Sequence, residues 1–272
     1  MKSINGLTIL VTGSTDGIGK LTATRLAEKG AHVLIHGRNM QKLTRVVNEI
    51  KLKSKNFYVE GYNANFNALA NVKKLATQVL ENCTKLDVLI NNAGIGLTGD
   101  RKVSQDGYEL RFAVNYLAPF LLTHLLIPML KETRSSRIVN VASIGQHPLD
   151  FNDIMLEEYY DPRRAYRQSK LALIMFSFML AEKLKDAKVS VNALHPGTYL
   201  DTKMVLEAGI TPFGRAESGA DAEVYLATSN DLEGVTGEFY DVKNRSRALD
   251  QAYNRQARIK LWNLSMELVG LS

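Results

Sequence analysis

The sequence predicts an α/β protein, a doubly wound parallel sheet of about seven strands with helices on both faces. Three observations predict it. Short apolar, β-branched runs alternate with longer helical patterns from the first residues to about position 195. The apolar runs are continuous rather than alternating, as in strands buried on both faces. The first run ends in a glycine cluster, Gly13-Ser14-Thr15-Asp16-Gly17-Ile18-Gly19, that passes directly into a helical pattern.

In chain order, the expected strands are Leu7–Thr12, His32–His36, Phe57–Tyr62, Leu86–Asn91, Arg137–Val141 and Val189–Leu194. Helical stretches fill the gaps at Gly17–Lys29, Gln41–Lys51, Ala68–Glu81 and Tyr108–Lys131, and a further run starts at Tyr166. Nothing reads as a linker or repeat, so one domain is expected over residues 1–272. Ligands of such sheets bind at the carboxyl ends of the strands. Each motif below falls at such an end or on the following helix.

The bulk properties narrow the possibilities. The 272 residues are 45% hydrophobic and 23% charged, the balance of a globular chain with a real core. The net charge of +6 is spread along the chain without a basic run, which argues against nucleic acid and suits an anionic, phosphate-bearing ligand. Cys83 is the single cysteine and fits a packing role, so no internal disulfide is expected. No His/Cys/Asp cluster has metal-ligand spacing, and no metal is expected. No apolar stretch of spanning length and no signal peptide are read in the sequence, so a cytoplasmic location is expected.

The glycine turn carries the first functional reading. Glycines let the backbone approach a ligand closely, and the helix that follows offers free N–H groups to phosphate. Gly13, Ser14, Thr15, Gly17, Ile18 and Gly19 are therefore candidate cofactor contacts. The second strand ends in His36-Gly37-Arg38-Asn39. NAD-binding sheets place an acidic residue near here to bond the ribose. Gly37 leaves that place empty, and a guanidinium at Arg38 suits an adenosine 2′-phosphate, so NADP is expected. The other reading of Arg38 is an ordinary solvated arginine, and Asp16 within the turn weighs mildly against the phosphate.

The second group lies further along. Asn92, Ala93 and Gly94 follow the fourth strand, a run of small residues suited to lying flat against a cofactor. Asn115 falls in a helical stretch and Ser143 just past the fifth strand. Tyr166 and Lys170 are four apart on one helix, hence on one face. An ammonium beside a phenol favours the phenolate and is expected to lower the Tyr166 pKa, making a general acid or base. Each feature alone has a structural explanation: Ser143 can cap a turn, Asn115 can be a satisfied amide, and Tyr–Lys pairs at this spacing are common.

Together and in this order, the glycine turn, the NNAG loop, Asn115, Ser143, Tyr166 with Lys170, and Asn192–Gly197 (NALHPG) resemble the short-chain dehydrogenase/reductase family over essentially the whole chain. The resemblance implies a Rossmann-type fold and hydride transfer between NADP(H) and a small-molecule carbonyl or alcohol. It implies that Tyr166 exchanges a proton with the substrate oxygen and that Ser143 hydrogen-bonds that oxygen. Lys170 would lower the Tyr166 pKa and bond the nicotinamide ribose, and Asn115 would hold a water linking Lys170 to solvent. Pro196, Gly197, Thr198, Tyr199 and Thr202 would lie along the nicotinamide, and Asn65 and Phe66 beside the adenine. Two departures stand out. Asp201 takes the usual place of the carboxamide-contacting threonine, with Thr202 one position later, and Asn65 replaces a usual aspartate.

The long segment between Ser143 and Tyr166, with Phe151, Tyr159 and Tyr160, and the Leu261–Ser265 tail are similar to the retinol-dehydrogenase-like branch. That implies an apolar substrate. Those aromatics and Tyr199 either wall a pocket within loops 94–103, 144–165 and 198–216 or pack an extra turn. Leu171–Leu180 is apolar almost all round, so either both its faces are buried within the chain or one meets a partner. A homodimer or homotetramer is expected. The rival readings are an epimerase or dehydratase of the same fold, and a non-catalytic NADP(H)-binding sensor.

Overall fold

The computed structural model describes residues 4–133 and 135–271. The first three residues of the N-terminal run, Arg134 and Ser272 lie outside the described residues. Eight strands form one sheet among them, in the order β3-β2-β1-β4-β5-β6-β7-β8. They are β1 Thr8–Val11, β2 His32–Gly37, β3 Val59–Asn63, β4 Val88–Asn91, β5 Ser136–Val141, β6 Val189–His195, β7 Phe239–Asp241 and β8 Asn244–Ser246. The first seven run parallel, and β8 turns back antiparallel against β7. The seven parallel strands match the expected sheet, and one short antiparallel strand is added at the β7 edge. It hangs on a tight reversal in which Val242 adopts φ 55°.

Side chains along the central strands alternate between the two sheet faces, as the pleat requires. Leu10, Leu34, Leu89, Ile138 and Val191 enter the core layer shared with α3 (Leu69–Asn82), α5 (Ala118–Glu132) and α6 (Pro162–Lys183). Ile9, Val33, Ile35, Ile90 and Val139 enter the opposite layer, with α1 (Gly17–Glu28), α2 (Met40–Ser54) and α8 (Ala216–Thr228). Both faces are therefore apolar, which is why these strands read as continuous runs. Each fully buried aliphatic side chain contributes about 1.5–3 kcal/mol.

The helix starts carry their own signals. Asp16 accepts from Gly17 N at 2.9 Å to begin α1, and Asn39 accepts from Lys42 N at 2.8 Å to begin α2. Pro162 opens α6 behind the cap Asp161. The segment expected as one long helix from Tyr108 is α4 (Leu110–Phe112) running into α5 through a wide turn, Ala113–Leu117, of π type.

This continuous helix, Leu110–Glu132, is long and apolar enough to cross a membrane, contrary to the reading that no stretch reaches spanning length. In the fold, 72% of its most apolar window is buried against the rest of the protein.

The tail forms a helix, α9 (Arg255–Val269), lying against α6. Trp262 packs on Phe120, His124 and Phe176 with centroids 5.5, 4.9 and 6.1 Å away, and Tyr116 meets Ser265 at 2.6 Å. Residues 168–181 of α6 are buried throughout by the chain itself. The choice between two buried faces and a partner-facing one is resolved for this helix in favour of burial within the chain.

Candidate active site

The sheet order reverses between β1 and β4, and a crevice opens at the carboxyl ends of strands on either side of such a reversal. The glycine turn closes one wall. Gly13 has φ +65°, and a Cβ there would stand 2.7 Å from Ala93 Cα, so only glycine lets the β1 turn and the β4 loop touch. Asn92 ties the two together, donating from Nδ2 to Thr12 O at 2.8 Å and Gly13 O at 3.2 Å. Ala93 N donates to Thr12 Oγ1 at 3.0 Å. Ser14 is fully buried: its hydroxyl donates to Val11 O at 2.7 Å and accepts from His36 N at 2.9 Å. Its backbone N–H donates to His36 O at 2.9 Å, so Ser14 ties the β1 turn to β2 rather than opening to the crevice.

At the β2 end, a Cβ on Gly37 would lie 2.4 Å from Thr15 Cγ2, so no larger residue fits beneath the turn. The place of the usual acidic residue is filled by contact with Thr15. Arg38 follows and is exposed. Asp16 is engaged rather than free: it caps α1 and pairs with Lys42, and that hydrogen bond is the main reason its carboxyl lies below the usual range. These glycine contacts and exposed cations fit a dinucleotide phosphate better than a bare structural turn.

The remaining candidates meet on the other side. Tyr166 and Lys170 occupy successive turns of α6, with Lys170 Nζ 5.7 Å from the Tyr166 ring centre. Lys170 Nζ donates to Val141 O at 2.8 Å. The Ser143 side chain stands beside the Tyr166 phenol, and its hydroxyl accepts from Gly145 N at 3.0 Å. A Cβ on Gly94 would meet Asn115 Oδ1 at 3.3 Å and Lys170 Nζ at 3.5 Å, so Gly94 floors this corner. Asn115 is buried; it accepts from Ile95 N at 2.8 Å and donates to Ile95 O at 3.2 Å and Ser169 Oγ at 3.0 Å.

One electrostatic expectation is corrected. Burial pushes the Tyr166 pKa up, partly offset by the neighbouring Ser143, so Lys170 does not lower it in this arrangement. The ammonium is turned to the Val141 carbonyl, and burial lowers its own pKa to about 8, with Glu223 opposing the shift. The phenol therefore stands protonated at neutral pH.

Residues 7–211 match the profile of the family described as short chain dehydrogenase. The chain belongs to that family. Human retinol dehydrogenase 13 is 33% identical over 99% of this chain and 86% of its own length. Human polyprenol dehydrogenase is 35% identical over 96% and 84%. A crystal structure of an uncharacterised protein from Mycobacterium paratuberculosis superposes with a TM-score of 0.81 at 28% identity, covering 98% of this chain and 95% of the other. The short-chain dehydrogenase described here thus falls in the retinol-dehydrogenase-like branch of these oxidoreductases, and its fold implies a nicotinamide cofactor.

The remaining residues expected at the cofactor of this dehydrogenase have the following surroundings. The Phe66 ring is 5% exposed and stacks on His36 at 4.4 Å, so any cofactor contact there is by backbone. Asn65 is exposed, but its side-chain oxygen already accepts from Asn67 N at 3.1 Å. Asp201 accepts from Ala216 N at the start of α8, and Thr202 lies beside Gly17, 3.7 Å from where its Cβ would stand. Thr202 consequently sits at the glycine turn. Pro196 is buried against Gly219 and Gly197 packs on Leu200. Thr198 Oγ1 bonds His195 Nε2 at 3.0 Å. Tyr199 is 44% exposed and meets Phe213 edge-on rather than lining an enclosed pocket. Ile18 is half-buried at the α1 start and approaches Gly219.

Three residues escaped the sequence reading. His36 binds the glycine turn, Glu223 lies fully buried behind Lys170, and Arg111 grips the loop after Gly94. Two had visible signals. A histidine inside an apolar strand needs a partner, and Arg111 is four residues before Asn115, hence near the same helix face. Glu223 carried none, because its partner Thr22 is 201 positions away.

Proposed function

We propose that this chain is an NADP(H)-dependent oxidoreductase that interconverts a carbonyl and an alcohol, with Tyr166 as general acid/base. The observation that carries the reading is the meeting of Ser143 and Tyr166 at the β5 end, with Lys170 one turn further along α6. Two hydroxyls side by side can both address one substrate oxygen: the phenol gives or takes its proton while the serine steers it and stabilises developing charge. The nicotinamide, when bound, supplies or accepts the hydride. A phenol held protonated by burial is in the form that carbonyl reduction requires. Lys170, held by Val141 O, would bond the ribose when the cofactor enters and balance charge as the proton moves.

Cofactor choice rests on Arg38. It is exposed just past Gly37, where no carboxylate competes with a 2′-phosphate, and Asp16 is screened by Lys42. The apolar substrate class is supported by the retinol and polyprenol specificities in the relatives' names, and by exposed Ile144 next to Ser143. Of the insertion aromatics, Phe151 packs against the core and Tyr159 is exposed. A homo-oligomer, if formed, would use a face other than the α6 surface covered by α9.

Parallel fluorescence titration with NADPH and NADH, followed by turnover on a panel of aldehydes, ketones and alcohols, tests the proposal. Tight NADPH binding with turnover of apolar members supports it. Binding without turnover of any member refutes the oxidoreductase reading in favour of a sensor.

A further inference from the structure

Among the described residues, the most heavily used buried side chain outside the proton-transfer group is Arg111, which is 4% exposed. Its Nε donates to Gly96 O at 2.7 Å, one terminal nitrogen donates to Thr98 O, and the other donates to the Tyr160 hydroxyl. Glu109, 1% exposed, faces the guanidinium at 3.5 Å, accepts from Tyr160 at 3.3 Å and accepts from Phe112 N at 2.7 Å. A buried cation is retained only where such partners offset its desolvation.

The partners belong to segments far apart in sequence. Gly96 and Thr98 follow the NNAG loop, and Tyr160 belongs to the insertion between Ser143 and Tyr166. Gly96 also abuts the third segment, since a Cβ there would stand 2.8 Å from Met204 Cγ. A second arginine reinforces the join: Arg101 donates to Leu156 O at 3.1 Å and Met155 O at 3.2 Å, with Leu156 held at φ +50°. Asn115, one turn after Arg111, grips the neighbouring Ile95.

We infer that Arg111 is a positioning residue that sets substrate range by latching the 94–98 loop to the insertion, so that the substrate mouth is a preformed wall rather than a lid. The inference rests on the proposed carbonyl–alcohol activity. Arg111 would touch neither cofactor nor reacting atoms; it acts through Gly96, Thr98 and Tyr160. Loosening it should penalise substrates that need the wall and spare those that do not reach it.

The test uses Tyr160→Phe, which removes one hydroxyl from the latch, and Arg111→Lys, which keeps the charge but loses the fork. Expected in both is a rise in KM of about tenfold for a ten-carbon aldehyde. KM for a three-carbon aldehyde and NADPH affinity should stay within about twofold. Backbone amides of residues 95–100 should exchange with deuterium faster. An unchanged ratio of the two KM values in folded variants overturns the inference. A proportional loss on both aldehydes and on NADPH, with a lower Tm, also overturns it by showing a merely structural role. If the wild type turns over no carbonyl or alcohol, the activity falls and the substrate-range inference falls with it; unchanged exchange at 95–100 would then sink the latch separately.

Discussion

The backbone N–H of Gly13 donates to Nδ1 of His36 at 3.0 Å, while Nε2 of the same ring bonds Ala64 O at 3.0 Å. A carbonyl can only accept, so Nε2 carries the hydrogen and Nδ1 is left to receive Gly13. The ring thus spans from the glycine turn to the end of β3, stacked on Phe66. It must be neutral to do so, and burial pushes its pKa down to about 4.

That depression has a sign that can be worked out. Above the ordinary value of 6.5 the ring is neutral in both folded and unfolded chains. As pH falls from 6.5 towards about 4, the unfolded chain takes up a proton that the fold refuses, and stability is lost. The loss between pH 7 and pH 5 should be about 2 kcal/mol. Urea unfolding of His36→Gln at the two pH values checks it: the difference between them should shrink by that amount. The same drop in both proteins would assign the acid sensitivity elsewhere.

Tyr166→Phe removes the phenol that Ser143 addresses and leaves the ring. Turnover should fall by roughly 10²–10⁴-fold, the span of general acid–base catalysis, with NADPH affinity nearly unchanged. Steady-state rates beside a fluorescence titration decide this. Wild-type turnover in the variant would end the acid/base assignment.

Arg38→Asp places a carboxylate where Gly37 and Thr15 leave no other acid. NADPH should bind at least about tenfold more weakly, and NADH should gain, because the new charge repels the 2′-phosphate and suits a free ribose hydroxyl. The ratio of kcat/KM for the two cofactors is the readout. No change in that ratio contradicts the NADP reading.

Glu223 is fully buried, one oxygen accepts from Thr22 at 2.7 Å, the other has no hydrogen-bond partner, and burial pushes its pKa up to about 8. The fold therefore holds a proton that the unfolded chain releases near 4.5, so stability falls as pH rises from 4.5 to about 8. Glu223→Gln should be close to neutral at pH 5 and should raise Tm at pH 8, by several degrees. Equal Tm changes at both pH values would show that the carboxyl does not titrate across that range.

Much of this was legible in the chain itself. The six strands from Leu7 to Leu194 announced themselves because burial on both faces leaves unbroken apolar runs, and the structure places them within a few residues of those positions. Ser143, Tyr166, Lys170, Asn115 and Gly94 do converge. Strands β7 and β8, three residues each, are too short to show any period. Electrostatics were less legible: spacing put Lys170 beside Tyr166 but gave no hint that Val141 O would hold the ammonium. Asp16 looked like an argument against phosphate until Lys42, 26 positions on, was seen to hold it. The Arg111 network joins three loops whose paths no local pattern specifies.

The π-type turn at Ala113–Leu117 gives the helix one surplus residue. A π turn holds one residue more than a regular turn, and each α-helical residue advances about 100°. Deleting Val114 would leave the helix free to become regular with Arg111 and everything after Leu117 in nearly the same phase, because four residues at about 100° cover almost the arc that five cover in the wide turn. Asn115, which lies inside the wide turn, would shift against Arg111 and lose its place beside Ile95. The surplus residue thus sets where one amide falls and not the register of the whole helix, and a one-codon deletion should release Ile95 while leaving the Arg111 contacts in place.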